Sequence, residues 1–237
     1  MSKVFQFKQF SIDQTNCGMK VNTDAALLGA MADTRNALDI LEIGTGTGVI
    51  ALMLAQRSPA ARIDAVEIDE GAGLTAALNI SNSPFSNRVK LIQSSFEDHL
   101  SANADKKYDL IVSNPPYFIN SLKSAEPSKL LARHTNEDFF SSLISGASGH
   151  LKTGGQLYLI LPLDTADLVK RLLLETKLQV SKNIFIHSFP ESKPYRCILV
   201  ISPEPGETID EKFVIYESQN NYSGEYRSLL KDYLTIF

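Results

Sequence analysis

Four consecutive residues, Asn114-Pro115-Pro116-Tyr117, carry the most specific chemistry in the sequence. They follow directly on Tyr108-Asp109-Leu110-Ile111-Val112-Ser113, whose bulky apolar residues read as a buried strand. Two adjacent prolines remove two backbone donors and fix φ, so the carbonyls around them have no sheet partner and stay available as acceptors. An amino group conjugated to a purine ring has its lone pair delocalised, and both its hydrogens must be held before the nitrogen can pyramidalise and attack. The Asn114 side-chain oxygen and the Pro115 carbonyl suit that catalytic task. Tyr117, with Pro116 beside it, is placed to stack on a base turned out of its own helix or stack. The plain alternative is a Pro-Pro turn that merely ends a strand. Such a turn has no need of an amide before it and an aromatic after it.

A second motif offers the seat for an electrophile. Leu38-Asp39-Ile40-Leu41-Glu42-Ile43 is a buried strand that enters a helix through Gly44-Thr45-Gly46-Thr47-Gly48. Glycines let the main chain turn tightly and admit a ligand close to the backbone. The spacing is G-x-G-x-G, whereas the dinucleotide fingerprint needs G-x-G-x-x-G, so a hydride-transferring dehydrogenase is disfavoured. Glu42 puts a negative charge where a pyrophosphate would have to sit but where a ligand's ammonium would be welcome. The next strand ends at Glu67, placed to accept hydrogen bonds from ribose hydroxyls. After the third strand, Ser95-Phe96-Glu97-Asp98 offers an apolar wall and a carboxylate for an adenine ring and its amino group.

These residues need a frame, and the pattern supplies one. Strands are predicted at residues 37–43, 62–67, 89–93, 108–113, 156–161, 179–186 and 196–201, with helices at 48–57, 70–81, 138–151 and 164–175. That alternation is an α/β fold: a seven-stranded, mostly parallel sheet with helices on both faces. The expected organisation is an N-terminal extension over residues 1–36 covering the cofactor and substrate site, a core over 37–203, and a C-terminal segment over 204–237 packed on it as a helix or hook. Pro115 to Glu137 reads as one long loop carrying Lys123, Lys129, Arg133 and His134, and loops of that length are usually functional or mobile.

The chain has 237 residues and a formal net charge of −4, so it is no polycationic wrap. Its 43% hydrophobic and 21% charged residues exclude a disordered or collagen-like chain. Cys17 and Cys197 are too few for a disulfide framework and form no CxxC pair, which points to free thiols in a reducing compartment and to no metal site. The first ten residues lack the apolar run of a secretory signal, and no stretch suits a membrane span. A cytoplasmic protein with no membrane partner is expected.

The glycine turn and the acidic strand ends together resemble the S-adenosylmethionine site of class I methyltransferases, with a Rossmann-like fold. The Asn-Pro-Pro-Tyr turn resembles that of amino-methylating members acting on DNA adenine, RNA or protein glutamine. Residues 5–10, Met19 to Ala30, Ile40 to Arg57, Ser113 to Phe118 and Ala132 to Thr135 are similar in order to the bacterial valine-tRNA adenine-N(6)-methyltransferase family. That resemblance implies S-adenosylmethionine as cofactor, held by Glu42, Gly44, Gly46, Gly48, Glu67, Phe96 and Asn114. It implies as substrate the adenine at position 37, next to the anticodon of a valine-accepting tRNA. It also places Lys20, Thr23 and Asp24 near the site mouth and lifts Arg133 and His134 from surface charges to RNA contacts. Two departures stand out, Asn22 where glycine is frequent and Glu42 where aspartate is frequent, and neither removes the chemistry. An acidic protein that binds RNA needs a local basic rim, expected from Lys3, Lys8, Lys20, Lys123, Lys129 and Arg133. Methylation of another amino or amide nitrogen, in ribosomal RNA, DNA or a protein glutamine, and a non-catalytic nucleotide-binding scaffold stay open as alternatives.

Overall fold

The computed structural model describes residues 4–15, 20–116, 126–204 and 206–237, with the side chains of residues 126–136 outside the description. The chain opens with a short antiparallel hairpin, β1 (Val4–Gln6) and β2 (Ser11–Asp13), and helix α1 (Thr23–Met31). Then follow β3 (Asp39–Ile43), α2 (Val49–Arg57), β4 (Arg62–Glu67), α3 (Glu70–Ser81), β5 (Val89–Gln93), α4 (Phe96–Ala102) and β6 (Tyr108–Ser113). The second half continues with α5 (Glu126–His150), β7 (Leu151–Leu161), α6 (Leu163–Leu173), β8 (Gln179–His187) and β9 (Pro194–Ser202). Last come β10 (Ile209–Val214), a small hairpin of β11 (Tyr216–Ser218) and β12 (Asn221–Tyr222), and α7 (Gly224–Leu230).

The main sheet has eight strands rather than the expected seven, in the order β10-β8-β9-β7-β6-β3-β4-β5. All neighbours are parallel except β9, which runs antiparallel to both β7 and β8. The extra strand, β10, lies at the edge, and its first four residues, Ile209-Asp210-Glu211-Lys212, are exposed. An edge strand with charges on it carries no apolar run to betray it. Helix α1 also escapes periodicity, because every residue from Asp24 to Ala30 is buried and no polar face alternates with an apolar one.

The expected loop over Pro115 to Glu137 is corrected in its second half, which belongs to α5 from Glu126 onward. Pro127 sits in the first turn, where its missing N–H costs nothing. The following Lys129, Arg133, His134 and Asn136 break up the apolar stripe by which a helix is read.

Side chains alternate across the sheet into two apolar layers. Ile40, Leu110 and Val112 face α1, α2 and α7, while Leu41, Ile43 and Ile111 face α4, α5 and α6. The first and last segments meet in the former layer, where Phe7, Phe10 and Leu27 share a cluster with Tyr226, Leu230, Tyr233 and Leu234. Under α4, Tyr108 donates to Asp64 Oδ2 at 2.8 Å, its hydroxyl lies 2.9 Å from His99 Nε2, and Lys106 pairs with the same carboxylate. This network ties α4 to β4 and β6, and burial within it pushes the Tyr108 hydroxyl up and the His99 imidazole down. Among the described residues no helix is long and apolar enough to cross a membrane, and no cluster of metal-ligating side chains occurs.

Candidate active site

Strands β3, β4, β5 and β6 are parallel, so their carboxyl ends lie along one edge, and the helices that follow start there. Each start is fixed locally. Asp69 caps α3 by accepting from Ala72 N–H at 2.8 Å, and Ser95 caps α4 by accepting from Asp98 N–H at 3.0 Å. The glycine turn after β3 is pinned to β4, with Gly44 and Thr45 N–H both donating to the Val66 carbonyl, at 2.9 and 3.0 Å. Gly44, Gly46 and Gly48 have φ of 74°, 57° and 82°, a left-handed region that favours glycine.

A cavity of about 560 Å³ opens at this edge, within the size range of small-molecule sites. Its floor is Ile43, Gly44 and Gly46, one side is Val66 to Asp69, another is Ser94 to Glu97, and the last is Ser113 to Pro116. The glycine turn and the Asn-Pro-Pro turn, read separately in the sequence, thus share one pocket. A β carbon built on Gly44 or Gly46 would meet no protein atom within 4 Å, so bare main chain faces open space there.

Glu67 accepts one backbone hydrogen bond on each oxygen, from Gly46 N–H at 2.8 Å and Asp69 N–H at 2.9 Å. This fixes the carboxylate at the cavity wall, and each oxygen keeps acceptor capacity for a ligand diol. Phe96 lines the cavity with Phe139 packed edge-on against it, ring centroids 5.8 Å apart. Ser113 donates to the Ile43 carbonyl at 2.8 Å, locking the end of β6 beside the glycine turn. Beyond it Asn114 is half-buried, Pro115 buried and Pro116 exposed.

Several expected residues stand elsewhere. Glu42 is fully buried and does not line the cavity; its Oε2 accepts from Thr45 Oγ1 at 2.5 Å and from Ala51 N–H at 3.0 Å. The side chain alternation that sends Ile43 toward the pocket layer turns Glu42 behind it, where it holds the turn from within. Burial, reinforced by the charge of Glu67 and opposed by those two hydrogen bonds, pushes its carboxyl up to about 8. Gly48 also lies outside the lining: it opens α2, and a β carbon built on it would meet Ala76 of α3 at 3.7 Å.

After the third strand the lining carboxylate is Glu97, whereas Asp98 is one helical step around α4 and off the wall. Lys20 is exposed and off the cavity wall, and Lys8 donates to the Lys231 carbonyl at the end of α7, a cation on a helix C-terminus rather than on the cavity rim. Lys3, Tyr117 and Lys123 lie outside the described residues, as do the side chains of Lys129, Arg133 and His134 on α5. The described part of the N-terminal extension lies against the back of the turn. Buried Asn79 accepts from Asp13 N–H at 2.8 Å and donates to the Asp13 and Thr47 carbonyls at 3.0 and 2.9 Å.

Sequence reasoning missed Ile68 and Phe139. Ile68 is 74% exposed at the cavity lip, directly after the acidic strand end. For Phe139 a signal existed: Phe140, Leu143, Ile144 and Ala147 form the buried stripe of α5, so Phe139, one position off it, faces elsewhere.

Known proteins resemble this chain in sequence and in fold. Residues 15–185 match the methyltransferase small domain family. Relatives named tRNA1(Val) (adenine(37)-N6)-methyltransferase include one from Pedobacter heparinus, 46% identical over 100% of both chains. Another, from Haemophilus influenzae, is 38% identical and covers 98% of this chain and 99% of its own. Among solved structures, one described as a predicted O-methyltransferase from Agrobacterium tumefaciens superposes with a TM-score of 0.69 at 17% identity, over 89% of this chain and 96% of that one. A ribosomal protein L11 methylase from Lactobacillus delbrueckii gives 0.57 at 20% identity, over 81% and 83%. These two structural likenesses speak to the fold.

Proposed function

The chain belongs to the methyltransferase small domain family, and on that premise we propose that it methylates the exocyclic 6-amino group of the adenine at position 37, 3′-adjacent to the anticodon of a valine tRNA. The observation that carries this reading is the single cavity shared by the Gly44–Gly46 main chain, the Glu67 carboxylate and Asn114-Pro115-Pro116. Full-length relatives with that printed activity support the choice of acceptor. A cytoplasmic location follows from the substrate.

The residues present fit S-adenosylmethionine. Bare main chain at Gly44 and Gly46 admits its close approach, Glu67 has acceptor capacity for its ribose diol, and Phe96, Phe139 and Ile68 supply apolar walls for its adenine. When bound, this cofactor supplies an electrophilic methyl group on a sulfonium. The chain's own part is to bring the acceptor amine to it. The target adenine is turned out of the anticodon-loop stack, and Tyr117 stacks on its face, a contact worth about 1–3 kcal/mol. The Asn114 side-chain oxygen and the Pro115 carbonyl accept from the two amino hydrogens, which lets the nitrogen pyramidalise. Positioning of this kind supplies several kcal/mol of a displacement barrier. Lys129, Arg133 and His134, all in the α5 sequence, are assigned to tRNA contact in this reading.

Incubation with labelled methyl donor and tRNA that lacks the modification, followed by nucleoside analysis, tests the proposal. The expected product is 6-methyladenosine, absent when the adenine at position 37 is replaced by guanine. Label in protein, in DNA or at another tRNA position would overturn it.

A further inference from the structure

The carboxyl edge of the sheet continues beyond the cavity. Leu161 at the end of β7 pairs with Cys197 near the start of β9, and His187 at the end of β8 pairs with Pro194. Val214 at the end of β10 pairs with His187 in turn. The turn from Ser188 to Lys193, with Arg196 and Tyr216, therefore stands on the same edge as Asn114. From β6 to β8 is three strand spacings, roughly 14 Å.

The turn is held rigidly. Phe189 N–H donates to Ser192 Oγ and Ser192 N–H to the Phe189 carbonyl, both at 3.0 Å. His187 Nδ1 lies 2.6 Å from the Ser192 carbonyl oxygen, and Lys212 donates to the Pro190 carbonyl. At its tip the Phe189 side chain is 40% exposed. Its ring lies 5.6 Å from that of Tyr216, which stacks on Tyr222 at 4.8 Å, which stacks on Tyr226 at 4.9 Å and 8°. Tyr226 is buried, so the column is rooted in the core.

An aromatic ring kept in water on a fixed turn loses little freedom when something stacks on it. Two cations belong to the turn and its support, exposed Lys193 on the turn itself and exposed Lys212 on β10, which reaches the Pro190 carbonyl; Arg196, at the start of β9, lies over the Tyr195 ring and is neutralised by Asp24 at 2.7 Å. Glu191 is the opposing charge on the turn itself. An exposed ring on a turn that carries and is braced by lysines suits an unpaired RNA base and its phosphates.

We propose that Phe189 is a second RNA contact, a stacking platform for an unpaired nucleotide of the same loop that delivers its adenine to Asn114, with Lys193 and Lys212 beside the phosphates. The inference rests on RNA being the substrate, as argued above. The chain contains no tryptophan, so Phe189→Trp places a single fluorescent reporter on the platform. Its emission is expected to fall on addition of tRNA and to stay unchanged with methyl donor alone.

Phe189→Ala and Phe189→Leu are expected to raise KM for tRNA at least about fivefold, with kcat and donor affinity unchanged, while Phe189→Trp restores the wild-type KM. Leucine keeps the apolar character and loses the flat ring, which separates stacking from simple burial. If the wild-type protein methylates tRNA while Phe189→Ala keeps its KM and the tryptophan emission does not respond, this inference alone fails. If the wild-type protein methylates no tRNA, the substrate reading falls and takes this one with it.

Discussion

Replacing Glu42 with glutamine tests whether this residue holds the glycine turn from behind or meets the ligand. The carboxyl is fully buried, with Oε1 lacking a hydrogen-bond partner among the described residues and Oε2 tied to Thr45 and Ala51. In the unfolded chain it titrates near its ordinary 4.5; in the fold it is pushed up to about 8. Between those values the folded state holds a proton that the unfolded state has lost, so this group's stabilising contribution is complete below about pH 4.5 and falls by about 1.4 kcal/mol per pH unit until about pH 8. The whole excursion is on the order of 4–5 kcal/mol. Glutamine resembles the protonated acid: it keeps an oxygen for Thr45 and Ala51, and it does not titrate. Urea unfolding of both proteins across that window should show wild type losing stability relative to Glu42→Gln as pH rises, from near parity at about pH 4.5. Calorimetry should show the two binding S-adenosylmethionine with the same affinity. A stability difference that is flat in pH refutes the reasoning, and so does a loss of donor affinity of about tenfold or more, as expected for a severed contact with the ligand's ammonium.

Two further predictions separate the parts of the cavity. Gly46→Ala should lose at least about tenfold in donor affinity, whereas Gly48→Ala, equally strained at positive φ but off the wall, should keep that affinity and cost only about 1–2 kcal/mol of stability by denaturant unfolding. Equal donor affinities in the two variants would misplace the ligand. Phe139→Ala removes one aromatic wall and should weaken donor binding about three- to tenfold by titration calorimetry while secondary structure is retained by circular dichroism; unchanged affinity would put the adenine elsewhere.

Much of the site was legible because its signals are local. Glycines at alternate positions, an acid at a strand end and an amide before two prolines each declare a backbone geometry that sequence neighbours determine, and Arg62–Glu67, Val89–Gln93 and Tyr108–Ser113 form as strands at the predicted bounds. What sequence could not give depends on three-dimensional surroundings. Glu42 looked like a ligand for a cation because strand ends carry such residues, yet which way its side chain turns is set by the pleat and by Thr45 and Ala51. The stripe of α5 marks Phe139 as facing away from Phe140, but that this ring, more than twenty positions beyond the prolines, walls the cavity follows only from the packing of α5 on α4. Strand β10 is held by its pairing with β8, its charged face leaving no apolar alternation to read.

The central claim is that Asn114 holds the acceptor amine beside a donor bound independently of it. Single-turnover methylation of unmodified tRNA by Asn114→Ala, set against its calorimetric affinity for S-adenosylmethionine, tests this most directly. The account predicts a rate lowered by at least about a hundredfold, the loss of roughly 3 kcal/mol of barrier reduction, with donor affinity within a few-fold of wild type. Near-normal turnover, or a rate loss fully explained by lost donor binding, would contradict it.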